Sequence, residues 1–250
     1  MVRVEEVSGM DDGLRVRETL VGDVREVNFW FGCGDELVPG VAFLPVGSDG
    51  LLPLVQIQHP GMGSKEDYWV SEVGMRWARR GWVCVGLDAP LHGERETHDP
   101  MALFREPSRF EAIRAQFAAE VTRMLELLPG VLPVDVGRMG YVGYSLGSML
   151  GVAAVARSGR FKAAAFCLVG EGGLAGPAAG PDSDVGKLGG VAVRVVGKTG
   201  DELIPRERTE ALFAGLPGVR DLQWLPGGHF EIGPDVVRLA EEWMAEWLSR

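Results

Sequence analysis

The segment Gly143-Tyr144-Ser145-Leu146-Gly147 carries the clearest chemical signal in the chain. It stands directly after the apolar run Met139–Val142 and before the Ala-rich stretch Met149–Ala156. A serine between two glycines at a strand-to-helix junction has the form of a nucleophile elbow. The sharp turn lifts the hydroxyl above the sheet edge, and the glycines let two backbones pass closely. The Leu146 N–H, at the start of the following helix, then points at the same place and can donate to a developing oxyanion.

A serine nucleophile needs a base, and the chain offers His59, His92, His98 and His229. His229 lies in Gly227-Gly228-His229-Phe230, after the strand-like run Asp221–Leu225 and before the last helix. That places it at the C-terminal end of a strand, on the edge where Ser145 must lie. His59 ends an apolar strand and runs into Pro-Gly-Met-Gly, a sequence suited to backbone donors, while His92 and His98 fall in an irregular insertion. The expected base is His229. Its orienting carboxylate is expected to be Asp201, in the Gly-rich loop Gly197–Glu202 that follows the run Val191–Val196. Adjacent Glu202, and Glu171 after the preceding strand, are rivals for that role. A second oxyanion donor is expected from the loop His59–Ser64, with the Met62 N–H favoured.

These residues require a scaffold that brings strand ends together, and the hydrophobic pattern predicts one. Leu14–Val21, Arg25–Phe31 and Val38–Pro45 read as an antiparallel meander with Gly-rich turns. Leu52–Gln58, Trp82–Leu87, Met139–Val142, Ala163–Val169 and Val191–Val196 are the apolar runs of a parallel sheet buried on both faces. Phe110, Ile113, Phe117, Val121, Met124 and Leu128 recur at helical spacing before Pro129-Gly130, and Val236, Leu239, Trp243 and Trp247 repeat the pattern after Gly233-Pro234. A further helix is expected near residues 66–80. The prediction is a single α/β domain over residues 1–250, with a mostly parallel sheet of about eight strands and helices on both faces. Segments 93–108 and 170–190 break the alternation and are candidate lids over a site at the strand ends, with little mass for a larger cap.

Composition removes several function classes. A net charge of −10 over 250 residues, with no basic cluster, argues against a nucleic-acid partner. The three cysteines are far apart, so neither a disulfide framework nor a metal knuckle is expected. The first residues lack the apolar core of a signal peptide and no apolar run approaches a membrane span, so a soluble, cytoplasmic protein is expected. Gly197-Lys198-Thr199 imitates the end of a phosphate loop, but Ala192 stands where the first glycine of that motif belongs. No metal and no cofactor is expected.

Taken together, GYSLG, HPGMG, GKTGDE and GGHF resemble the α/β-hydrolase superfamily over roughly residues 14–248. The order Ser145…Asp201…His229 is also the order of that superfamily. The stretch Asp88-Ala89-Pro90-Leu91-His92-Gly93-Glu94-Arg95 is similar to a loop of small bacterial esterases related to dienelactone hydrolases, acetyl xylan esterases and S9-type peptidases. The resemblance implies that Ser145, Asp201 and His229 are nucleophile, acid and base, with the amides of Leu146 and Met62 as oxyanion donors. His-Pro-Gly replaces the usual His-Gly of many esterases, which leaves Gly61 as an alternative donor. Dienelactone hydrolases proper use cysteine where Ser145 stands, and no propeller of the kind found in S9 oligopeptidases is expected ahead of the domain. The implied activity is hydrolysis of small to medium carboxylic esters through an acyl-enzyme. A peptidase or amidase, an acyltransferase or perhydrolase, and a silent binding protein are the alternatives. His59, Tyr144, Trp69 and Phe104 are expected near the substrate pocket.

Overall fold

A computed structural model describes residues 4–7, 13–95, 107–173 and 184–250. The chain starts with four antiparallel strands, β1 (Val4–Val7), β2 (Leu14–Val21), β3 (Val24–Cys33) and β4 (Glu36–Pro45). The alternating pattern then gives way to continuous burial, as a strand covered on both faces demands. β5 (Leu52–Gln58) is buried from Pro53 onward and β6 (Val83–Leu87) throughout. β7 (Val134–Tyr144), β8 (Ala163–Cys167), β9 (Ala192–Lys198) and β10 (Arg220–Leu225) complete a ten-stranded sheet of order β1-β2-β3-β4-β6-β5-β7-β8-β9-β10. Strands β5 to β10 pair in parallel, and β4 joins them through an antiparallel ladder with β6.

The helices are α1 (Ser71–Ala78), α2 (Pro107–Leu127), α3 (Leu146–Ser158), α4 (Arg206–Gly215) and α5 (Pro234–Leu248). They divide between two cores. Phe117, Val121 and Met124 of α2, Leu150 and Val152 of α3, and Leu212 of α4 pack with Leu54, Val83 and Phe166 on one face of the sheet. Val73 and Trp77 of α1 and Val236, Ala240 and Trp243 of α5 pack with Val55, Ile57 and Cys84 on the other. The chain steps from β5 outward to β6, then returns across β5 to β7 and proceeds in the opposite direction. The C-terminal ends of β5 and β7 therefore border the crevice where the winding reverses, the place where such sheets hold their ligands.

The architecture is the one expected, with two differences. The sheet has ten strands rather than about eight, because Val4–Val7 adds a fourth antiparallel strand ahead of the meander and the run ending at Leu225 joins the parallel edge as β10. α4 interrupts the connection between β9 and β10, and its only buried residues are Thr209 and Leu212, too few to give a helical apolar stripe. Of the two expected lid segments, residues 96–106 and 174–183 lie outside the described residues, and Phe104 with them. The described ends are firmly held. Arg95, at the end of a short 3-10 turn, makes a bidentate ion pair with buried Glu120 of α2 at 2.8 and 2.9 Å. Arg157 and Lys187 converge on buried Asp184.

Candidate active site

Ser145 sits between the last residue of β7 and the first of α3, with φ 50° and ψ −110°. A non-glycine residue at positive φ is strained and persists only where its surroundings fix it. Those surroundings are specific. The Ser145 N–H donates to the Cys167 carbonyl at the end of β8 (2.8 Å), and its own carbonyl accepts from Ser148 and Met149. The buried Ser148 hydroxyl lies 2.7 Å from the Gly143 carbonyl and accepts the Cys167 N–H at 2.8 Å. A Cβ on Gly143 would lie 2.5 Å from the Gly147 carbonyl carbon, and one on Gly147 would lie 2.5 Å from the Gln58 carbonyl oxygen. Both obstacles are backbone, so the elbow requires its two glycines.

The structure brings the three widely separated residues together. His229 Nε2 lies 2.7 Å from Ser145 Oγ, and His229 Nδ1 lies 2.8 and 3.0 Å from the two oxygens of Asp201. The carboxylate can only accept, so the ring proton belongs on Nδ1 and Nε2 is left with its lone pair toward the serine hydroxyl. Asp201 Oδ1 also accepts the amides of Leu203 (2.9 Å) and Ile204 (2.7 Å). Burial alone would raise its pKa; the His229 bond and the Ile204 and Leu203 amides outweigh that and hold the carboxyl below its ordinary range. The rivals for its role are placed differently. The Glu171 N–H donates to the Arg208 carbonyl, and the Arg208 guanidinium donates to the Glu171 carbonyl. Glu202 reaches the histidine from another side, its Oε2 accepting the His229 backbone N–H at 2.8 Å.

Leu146 opens α3, so its N–H has no intrahelical acceptor. The loop after β5 passes beside it: a Cβ on Gly61 would lie 3.9 Å from the Leu146 Cβ. In that loop Met62 takes φ 62° and is 76% exposed, while the Gly63 N–H is occupied by the Pro60 carbonyl at 3.2 Å. Gly61 and Met62 thus remain as the loop's candidate donors.

The expected pocket residues fall in different places. His59 is fully buried and joins two loops, with Nδ1 donating to the Pro60 carbonyl (2.8 Å) and Nε2 accepting the Ala89 N–H after β6 (3.1 Å). It is a brace for the loops rather than a wall of the pocket. Burial, helped by His92 5.4 Å away and opposed by the Pro60 bond, pushes its pKa down to about 3. Tyr144 is buried in the core shared with α1 and α5, its ring 5.8 Å from that of half-buried Trp69. A cavity of about 270 Å³ instead adjoins the Met62 loop, lined by Met62, Gly63, Ser64, Asp67, Leu91, His92 and Gly93.

What holds those two loops in place is a cluster that sequence spacing did not reveal. Asp88 is fully buried; its carboxylate accepts the Lys65 N–H (2.8 Å) and the Glu94 N–H (3.0 Å). The Lys65 ammonium, itself 1% exposed, binds Glu94 at 2.7 Å and lies 3.6 Å from Asp88. Gly93 has φ 56°, and a Cβ there would lie 2.2 Å from the Asp88 carboxylate. The signal was the string Asp88–Arg95, whose role becomes visible only once the loops after β5 and β6 converge. Among the described residues, no three His, Cys, Asp or Glu side chains gather in a metal-binding arrangement, and no helix is long and apolar enough to cross a membrane.

The buried neutral His59 predicts a pH dependence of stability. Above pH 6.5 the ring is neutral folded and unfolded, so it contributes nothing. As pH falls toward 3 only the unfolded chain takes up the proton, and stability is lost. By pH 5 the loss from this one group is about 2 kcal/mol. Denaturant unfolding at pH 7 and pH 5 should show a correspondingly flatter dependence in His59→Gln. An equal dependence in both proteins would refute the assignment.

No family model and no curated protein matches the sequence. Solved structures do match it. A cold-adapted esterase from an Arctic intertidal metagenomic library superposes with a TM-score of 0.76 at 23% identity, covering 90% of this chain and 97% of its own. The acetyl xylan esterase from Paenibacillus sp. R4 gives 0.72 at 14% identity over 99% and 88%. Acetyl xylan esterase 1 from Thermoanaerobacterium gives 0.70 at 15% over 98% and 87%. The chain has the α/β-hydrolase fold that these esterases share.

Proposed function

We propose that the chain is a carboxylic ester hydrolase working through an acyl-enzyme. The observation that carries this reading is the continuous path of hydrogen bonds from Asp201 through His229 to a serine held at positive φ. His229 Nε2 takes the proton as Ser145 Oγ attacks the ester carbonyl carbon, and the amides of Leu146 and Met62 receive the charge on the carbonyl oxygen. The tetrahedral intermediate expels the alcohol, which takes the proton from His229. Water then adds to the acyl-enzyme by the same route, releasing the acid and restoring the serine. Asp201 holds the ring in the productive tautomer and balances the imidazolium.

Small to medium esters suit the surroundings. On this reading the acyl group lodges in the cavity of about 270 Å³ that adjoins the Met62 loop, which none of the triad residues lines and which is smaller than the roughly 300–1,000 Å³ of drug-sized sites. Met62 and Phe230, 76% and 78% exposed, add apolar surface close to the proposed oxyanion donor and the base. Turnover should fall, not rise, for acyl chains beyond about ten carbons, since such chains outgrow a cavity of this size.

A fluorophosphonate tests the chemistry whatever ester the enzyme prefers, because it reacts with the activated serine itself. The native chain should gain one adduct, mapped to the peptide containing Ser145, and His229→Ala should label far more slowly. A folded native chain that takes no label would overturn the reading. With the site competent, p-nitrophenyl esters and anilides of the same acyl group separate an esterase from an amidase.

A further inference from the structure

The acid-bearing loop after β9 and the base-bearing loop after β10 are joined residue by residue, extending the parallel ladder that pairs Lys198 with Leu225. The Thr199 N–H donates to the Leu225 carbonyl (2.9 Å), the Lys198 ammonium to the Pro226 carbonyl (3.0 Å), and the Gly200 N–H to the Gly227 carbonyl (3.0 Å). Asp201 then takes the His229 ring, and Glu202 takes the His229 backbone. Glu231 closes the turn from within by accepting the Gly228 N–H at 3.0 Å. Gly227 sits at φ 104°, and a Cβ on Gly228 would lie 2.7 Å from the Glu202 carboxylate, so glycine at 228 is what lets that carboxylate approach.

Two consecutive carboxylates therefore grip one histidine at its two ends. The ring contact sets the tautomer. The backbone contact sets where the Cα stands, and with it how far Nε2 extends toward Ser145. A ring anchored only through Nδ1 can still swing about its Cα–Cβ bond and with the Gly227-Gly228 turn, and a displacement of a few tenths of an ångström is enough to lengthen a 2.7 Å contact.

Resting on the esterase reading, we propose that Glu202 is a positioning residue for His229: it fixes the base through its backbone amide and adds a second negative charge beside the imidazolium that forms during turnover. Its carboxyl is held below the ordinary range first by the His229 N–H, so the charge is present at neutral pH. Among the described residues, the groups facing His229 are Asp201 at Nδ1, Ser145 at Nε2, Glu202 at the backbone and the Phe230 ring 5.6 Å away. Glu231 and Lys198 hold the same turn through Gly228 and Pro226.

Hydrogen bond and charge are separable by substitution. Glu202→Ala loses both, whereas Glu202→Gln keeps a carbonyl acceptor and loses only the charge. With p-nitrophenyl acetate, kcat of the alanine variant should fall about five- to tenfold, the net worth of one hydrogen bond to an exposed side chain. KM should be unchanged and fluorophosphonate labelling slowed by the same factor. Glutamine should recover most of that loss. An active wild-type protein with an alanine variant indistinguishable from it would overturn the role of Glu202 alone. Equal losses in both variants, tracking a lowered melting temperature, would overturn it too, by showing a structural contact. A wild-type chain that neither turns over nor labels would instead overturn the esterase reading beneath it.

Discussion

Ser145→Ala is expected to lower kcat for ester hydrolysis about 10⁶-fold, as removal of the nucleophile does where a triad acts as a unit. The size follows from what is lost. Without Oγ no acyl-enzyme forms, and His229 is left facing an alanine methyl. The proposed oxyanion amides at Leu146 and in the Met62 loop remain, so a residual rate about 10³–10⁴-fold above the uncatalysed one is expected from charge stabilisation and binding alone. The substitution removes one oxygen and leaves the bonds from Ser145 N–H to Cys167 and from Ser148 and Met149 to its carbonyl in place. The variant should therefore melt close to the wild type, which ties its loss to chemistry. Burst kinetics with p-nitrophenyl acetate and thermal unfolding, measured on the same preparations, check both halves. Unchanged steady-state turnover in a folded variant would remove Ser145 from the reaction.

The elbow was legible because its glycines mark where backbone passes close to backbone, a requirement carried by the GxSxG string itself. Gly143 faces Gly147 within one turn, and Gly147 meets the strand beside it. Asp201 and His229 were legible for another reason: each follows an apolar run, and in a parallel sheet the ends of such runs share an edge. Elements without a pattern of their own stayed hidden. β1 is four residues with two glutamates at its centre, and α4 reads RERTEALFAG with two buried positions. The first half of β7 is hidden because Asp135, Gly137 and Arg138 interrupt its apolar character, and its pairing with β5 slips register between Pro53 and Leu54.

The supports of the site were less legible than the site itself. Lys65, Asp88 and Glu94 come from two loops, and nothing in their spacing says that one ammonium will be buried between carboxylates. His59 shows the same limit. A histidine before Pro-Gly-Met-Gly reads as a pocket residue until the loop after β6 arrives to donate an amide to it and seal it from water. Contacts made by the meeting of loops are a property of the tertiary fold, and local sequence carries only the glycines that permit them.

Asp201→Asn tests the most specific part of the geometry. In the wild type, Oδ1 accepts two amides, from Leu203 and Ile204, and Oδ2 lies nearer to His229 Nδ1. Those amides dictate how an asparagine must sit: its carbonyl oxygen takes the Oδ1 place, and its NH₂ is forced into the Oδ2 place. A donor then faces Nδ1, so Nδ1 must accept and the ring proton moves to Nε2, the nitrogen 2.7 Å from Ser145 Oγ. The base now points a proton at the group it should deprotonate. The expected loss in kcat is about 10⁴-fold, or about 5.5 kcal/mol of transition-state stabilisation. Fluorophosphonate labelling should slow in proportion. Because the two loop amides keep their acceptor, the fold should be retained, and unfolding curves will show whether it is. A folded Asp201→Asn variant within tenfold of wild type would mean that His229 is oriented by something other than this carboxylate, and Glu202, already bonded to the same residue, would be the next position to substitute.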